Sequence, residues 1–193
     1  MKIYKIILYT ILSLILLMLV VAALVPDNIT ITTSTTIDAS PEKIYNNVVS
    51  LKNWKNWSPF EHDSTMTNTF SGPDSGVGAT RIWKGKTIGE GKMTIVKAIP
   101  FTLIKNQLDF GPKGNATGTW TFSAVDSTHT KVTWSTHISG FSYPFERLLG
   151  TVLSPIMKPM FENGLADLKE YSETGKVTAL QPDSLNQTTS KHE

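Results

Sequence analysis

From Ile6 to Val25 the chain runs for twenty residues without a charge, and only Tyr9, Thr10 and Ser13 interrupt the Ile, Leu, Val, Met and Ala. At about 1.5 Å per residue such a run makes a helix about 30 Å long, the thickness of a bilayer's hydrocarbon core. Lys2 and Lys5 precede the run, and Pro26 and Asp27 end it. A cleaved secretory signal has a shorter apolar core, roughly 7–15 residues, and a small-x-small cleavage site. Here Ala22 and Ala23 are adjacent and lead into Leu24-Val25-Pro26. The segment is therefore read as an uncleaved anchor over residues 1–26. Its basic residues lie on the N-terminal side, which predicts a cytoplasmic N-terminus and an extracytoplasmic domain.

Setting Lys2 and Lys5 apart from the 18 basic residues leaves the remainder balanced against 16 acidic ones. A neutral domain without a basic run offers no field for a polyanion, so nucleic acid is not expected as a partner. The chain has no cysteine, which excludes disulfides, thiol nucleophiles and thiolate metal sites.

Past the anchor, Asn28 to Ile37 is rich in Thr and Ile and reads as a strand. Ser40-Pro41 is a helix start, with Ser40 as N-cap and Pro41 in the first turn. Ile44, Val48 and Leu51 give that helix its apolar stripe. A short helical turn carrying Trp54 and Trp57 follows and is expected to pack at the rim; Pro59 stops it. Six strands are predicted next, near residues 65–70, 79–84, 89–98, 101–110, 117–125 and 131–138. The fifth alternates most clearly, with Trp120, Phe122 and Ala124 on one face. From Phe145 to Tyr171 the spacing turns helical. Leu148, Val152, Ile156 and Met160 are expected to face the sheet, and Pro155 and Pro159 predict a kinked or two-piece helix. The domain is placed at 27–175, and the polar segment 176–193 reads as a disordered tail. Antiparallel strands with a segregated long helix define the α+β class.

These residues resemble a known family. Ile37-Asp-Ala-Ser-Pro-Glu-Lys-Ile-Tyr45 and Trp54-Lys-Asn-Trp57-Ser-Pro59 are similar to the N-terminal signature of the SRPBCC, or START-like, superfamily. Gly76-Val-Gly78, Gly89-Glu-Gly91, Gly118-Thr-Trp-Thr-Phe122, Thr130-Lys-Val-Thr-Trp134 and Phe161-Glu-Asn-Gly-Leu-Ala-Asp-Leu-Lys169 resemble its polyketide cyclase/dehydrase-like branch in order and spacing. The resemblance implies a helix-grip fold, in which a curved antiparallel sheet wraps a long C-terminal helix and leaves a cavity. It constrains activity far less, because one fold hosts many functions.

The chemistry is sparse. Glu61-His62-Asp63 invites a metal or acid–base reading, but zinc needs three or four ligands and no second cluster supplies them. His129 falls in a turn, His192 in the tail, and His137 on the strand face opposite Trp134, where solvent is expected. No Gly-x-Ser-x-Gly elbow is present, and the glycines at 85, 89 and 91 lie in a hairpin, not before a helix. No metal and no cofactor is expected. Among the strand polar residues Arg81, Glu90, Lys92, Gln107 and Asp109, Arg81 shares a face with Trp83. Three readings of Arg81 stand open: contact with a ligand carboxylate, an ion pair with a structural Glu, or exposure.

The expected cavity lining is Arg81, Trp83, Trp120, Phe122, Trp134, Ile156 and Met160. The functional expectation is a membrane-tethered domain binding a small hydrophobic ligand, lipid-like or isoprenoid-like. The alternatives are a protein-interaction module without a ligand and an acid–base enzyme of cyclase or dehydratase type.

Overall fold

The computed structural model describes residues 2–61 and 63–178. An apolar helix α1 (Lys2–Leu24) leads into β1 (Asn28–Ile37), α2 (Pro41–Val49), β2 (Thr67–Ser71), β3 (Thr80–Gly85), β4 (Gly89–Ile99), β5 (Leu103–Asp109), β6 (Asn115–Ala124), β7 (Thr130–Ser139) and the long α3 (Phe145–Thr174). Short 3-10 turns at Leu51–Asn56 and Pro59–Glu61 connect α2 to β2. The seven strands form one antiparallel sheet in the order β1-β7-β6-β5-β4-β3-β2. The class is α+β, as expected, with the sheet gripping α3.

Local chemistry fixes the ends. Ser40 caps α2 by accepting the Lys43 N–H at 3.3 Å, with Pro41 just inside. Gly175, at φ 76°, closes α3 and donates its N–H to the Tyr171 carbonyl at 2.9 Å. A register shift between Ile95 and Lys97 places a bulge in β4, a device that bends a sheet.

The core lies between the concave face of the sheet and the α2 and α3 helices. Trp120 and Trp134 are direct cross-strand partners and stack with centroids 4.2 Å apart. Phe161 of α3 closes on Trp134 at 4.4 Å. Trp54 and Trp57, expected at a rim, are instead buried beneath this stack. Their indole N–H groups donate to the Val48 and Asn47 carbonyls of α2. The turn thus folds back underneath α2 across six and ten residues, a tertiary contact that spacing alone does not announce.

Two expectations about α3 differ from the structure. Of the kinked and two-piece alternatives the second is excluded, because α3 is one continuous helix through Pro155 and Pro159. It buries Gly150, Phe161, Gly164, Leu165, Asp167, Leu168 and Ser172, while Val152 and Ile156 are 48% and 66% exposed and Met160, 40% exposed, meets the sheet only across a cavity. The reason is geometric. At 3.6 residues per turn, each step of four advances about 40° around the helix, so three such steps rotate the set by about 120°. Leu148 and Met160 therefore cannot share a face with everything between them.

Helix α1 is long and apolar enough to cross a membrane. Its side chains are exposed along nearly the whole length and lose exposure only at Met18, Leu19 and Ala22, so it is not a core helix of the domain. At the other end Val177 packs against the core and Thr178 bonds to Glu170, so the chain stays docked to the domain three residues past Gly175. The remainder of the expected tail, with His192, lies outside the described residues, as does His62.

Candidate functional site

Between the sheet and α3 lies an apolar cavity of about 300 Å³. Its walls come from the ends of β5 and β7, the start of β6, the β3–β4 hairpin and the middle of α3. Arg81, Trp83 and Trp134 line it, with Met157, Met160 and Phe161 forming the helix wall. Trp120 and Phe122 are buried but sit deeper in the core, Phe122 against Tyr45. Ile156 points to the surface. The structure thus brings four of the seven expected lining residues to one cavity.

Sequence reading missed Asn106. Strand parity could have found it, because Ile104, Asn106 and Leu108 share the inward face of β5 while Gln107 and Asp109 share the outward one. Asn106 is buried at 2% exposure and donates its amide to the Met93 sulfur at 2.9 Å. Its Oδ1 has no hydrogen-bond partner among the described residues, and neither has Trp83 Nε1. Both residues line the cavity. Each lies against a glycine directly opposite on the neighbouring strand. Trp83 pairs with Gly91, and a Cβ there would strike the indole; Asn106 pairs with Gly118, and a Cβ there would strike its amide oxygen. Leaving a buried polar atom unpaired costs about 1–3 kcal/mol. These two atoms are the unpaired polar features of a wall that is otherwise apolar apart from Thr136 and Arg81.

Arg81 is the charged residue of that wall. Its guanidinium is buried, forms an ion pair with buried Glu61, and donates to Asn68 Oδ1 at 2.8 Å. Burial draws its pKa down and Glu61 opposes that shift. An Arg stays protonated through such shifts, so the pair is formally neutral. Trp83 lies beneath the guanidinium, 5.5 Å from its ring centroid.

The β3–β4 hairpin, which contributes Ile88 to the cavity, is held by Asp63. That carboxylate accepts the N–H groups of Thr65, Thr87 and Ile88 at 2.9, 2.8 and 3.1 Å, and the Thr65 hydroxyl. These bonds hold its pKa well below the usual carboxylate range.

The other candidates lie elsewhere. Glu90, Lys92, Gln107 and Asp109 are exposed on the outer face, Glu90 facing Lys84 at 3.8 Å. His137 is exposed and bonds to Thr30, and His129 sits in the β6–β7 turn with Asp126. Among the described residues no group of three His, Asp or Glu side chains is placed to hold a metal ion.

Comparison with known proteins agrees with this geometry. Residues 28–173 match the family described as polyketide cyclase / dehydrase and lipid transport. No curated protein matches the chain. Among solved structures, the Aha1 dimer from Colwellia psychrerythraea is 23% identical with a TM-score of 0.56, covering 77% of this chain and 98% of that one. The di-domain ARO/CYC BexL from the BE-7585A biosynthetic pathway is 17% identical with a TM-score of 0.59, covering 76% of this chain and 50% of that one. Hypothetical protein jhp0584 from Helicobacter pylori is 9% identical with a TM-score of 0.58, covering 77% and 89%. At such identities the structures share the fold alone. The family match spans most of the chain, and on that basis the protein belongs to the polyketide cyclase/dehydrase and lipid transport family of START-like, helix-grip proteins.

Proposed function

We propose that this protein is a membrane-tethered binding domain whose cavity takes a small, neutral, largely apolar molecule of lipid or isoprenoid type. The observation that carries the reading is the composition of the cavity wall. It is apolar except for Arg81, neutralised by Glu61 behind it, the buried Thr136, and two unpaired polar atoms, Trp83 Nε1 and Asn106 Oδ1. A wall of this kind suits a ligand with a hydrocarbon body and one hydrogen-bonding group such as a hydroxyl. Because Glu61 already satisfies the Arg81 charge, the site gives little reward to a free carboxylate. Each 100 Å² or so of apolar ligand surface buried contributes about 2.5 kcal/mol before association costs. Affinity in the micromolar range therefore needs few polar contacts.

Helix α1 supports the tether, and Lys2 and Lys5 support an N-terminus in the cytoplasm with the domain outside. The tether keeps the site where apolar compounds partition. Protease added to intact cells with a permeabilised outer layer should digest the domain; protection would place it on the cytoplasmic side.

The binding reading is tested by mass spectrometry of small molecules that copurify with the full-length protein. Enrichment of a neutral apolar compound over bulk lipid, lost in Trp83→Ala/Asn106→Ala, supports it. A compound profile identical to that of an unrelated single-span protein refutes it.

A further inference from the structure

The first half of α3 carries an apolar stripe that the domain does not cover. Phe145, Leu149, Val152, Ile156 and Met160 are 70%, 59%, 48%, 66% and 40% exposed. Their spacings of four, three, four and four place them on one side of the helix. The half-buried Leu148 and Leu153 flank the stripe, and the half-buried Met157 and buried Gly150 turn toward the domain. A continuous exposed patch of this kind on a folded domain marks a contact surface.

Its position identifies the partner. The phenol of Tyr143, two residues before α3, donates to the backbone carbonyl of Leu19 in α1 at 3.0 Å. Leu19 lies five residues before the end of α1, about 7.5 Å down the helix axis. That point lies within the apolar run of α1, so the segment leading into α3 is held against the part of α1 that lipid would surround. Nearby, the N–H groups of Gly140 and Phe141 both donate to the carbonyl of Asp27, where the chain leaves α1. The start of α3 is thereby fixed at the point of exit from the apolar helix.

The cavity lies at the same end of the domain. Ile138, one of its wall residues, pairs with Ile29, two residues beyond Asp27. Met160 belongs both to the exposed stripe and to the cavity wall, with Met157 beside it. One thickness of side chains thus separates the stripe from the cavity, and methionine is the most adaptable apolar residue for such a wall.

We propose that the stripe from Phe145 to Met160 lies in the lipid interface, making α3 a second membrane contact, and that ligands pass between the cavity and the bilayer across the Met157–Met160 wall. The proposal rests on α1 being a membrane span. An amphipathic helix in the interface plane buries its apolar side at the headgroup–acyl boundary. A ligand moving by this route never crosses bulk water.

Because the chain lacks cysteine, single labels can be placed freely. The full-length protein in nanodiscs, nitroxide-labelled at Leu149→Cys or Ile156→Cys, is compared with Ile11→Cys in α1 and Lys131→Cys on the exposed face of β7. Relaxation by oxygen reports lipid, and relaxation by a water-soluble nickel chelate reports water. The proposal predicts that labels at 149 and 156 show an oxygen response between those of Lys131→Cys and Ile11→Cys and a nickel response well below that of Lys131→Cys. If 149 and 156 respond like Lys131→Cys while Ile11→Cys stays in lipid, the span stands and the interfacial helix is refuted. If Ile11→Cys itself responds to nickel, the span fails and the proposal with it. Protection from both reagents, with dipolar coupling between labels, would assign the stripe to a second copy of the chain and refute lipid as its partner.

Discussion

Asn106 on β5 lies directly over Gly118 on β6, its amide filling the space a side chain at 118 would need. The pair puts a polar group into the cavity at the cost of an unpaired amide oxygen. Gly118→Ala should push that amide aside and destabilise the domain by about 1–3 kcal/mol, as overpacking in a core does. Asn106→Leu should do the reverse, raising stability by about 1 kcal/mol because a buried unpaired polar atom is removed. The same change should weaken binding of a hydroxylated ligand more than of a plain hydrocarbon. Thermal melts and paired titrations check both; a less stable Asn106→Leu would show that the amide serves the fold instead.

The Arg81–Glu61 pair predicts an asymmetry. Removing Arg81 alone, as Arg81→Met, strands a buried carboxylate and should cost about 3–5 kcal/mol. Removing both charges with Arg81→Met/Glu61→Gln should cost clearly less. Denaturant midpoints measure the difference; equal losses would mean that the pair is not coupled.

Asp63 predicts how the hairpin responds to acid. Its folded pKa is depressed by the donors from Thr65, Thr87 and Ile88. Its contribution to stability is therefore complete above the unfolded value of about 3.9 and fades as pH falls below that toward the folded value. Asp63→Asn should be less stable than the parent at pH 7 and should converge on it as the pH falls below about 4. A stability gap that stays constant over that range would contradict this role.

Much of the fold was legible in the sequence because its signals are local. The Thr- and Ile-rich run of β1, the Ser40-Pro41 start of α2 and the alternation through Trp120 and Phe122 each follow from one or two residues' chemistry. Features that depend on tertiary packing were not. Which side of α3 packs on the domain follows from the positions of Gly150 and Gly164, small enough to let Phe141 and the β7 residue Trp134 approach, not from where the apolar residues fall. Arg81 was legible as notable by parity with Trp83, but its partner Glu61 comes from a turn twenty residues away. Gln107 and Asp109 drew notice for their charge and polarity, whereas parity assigned the inward position to Asn106.

The central claim is that the space beside α3 is a binding cavity and not incompletely packed core. Ala116 lines that space and is 4% exposed, so Ala116→Phe puts a ring into it. The full-length protein in nanodiscs is titrated with farnesol while tryptophan fluorescence is followed, since Trp54, Trp83 and Trp134 all line the site. The account predicts a saturable change in the parent, absent in Ala116→Phe, with the melting temperature of the variant held or raised. No response in the parent, together with a variant destabilised by the about 1–3 kcal/mol expected of an overpacked core, would contradict it.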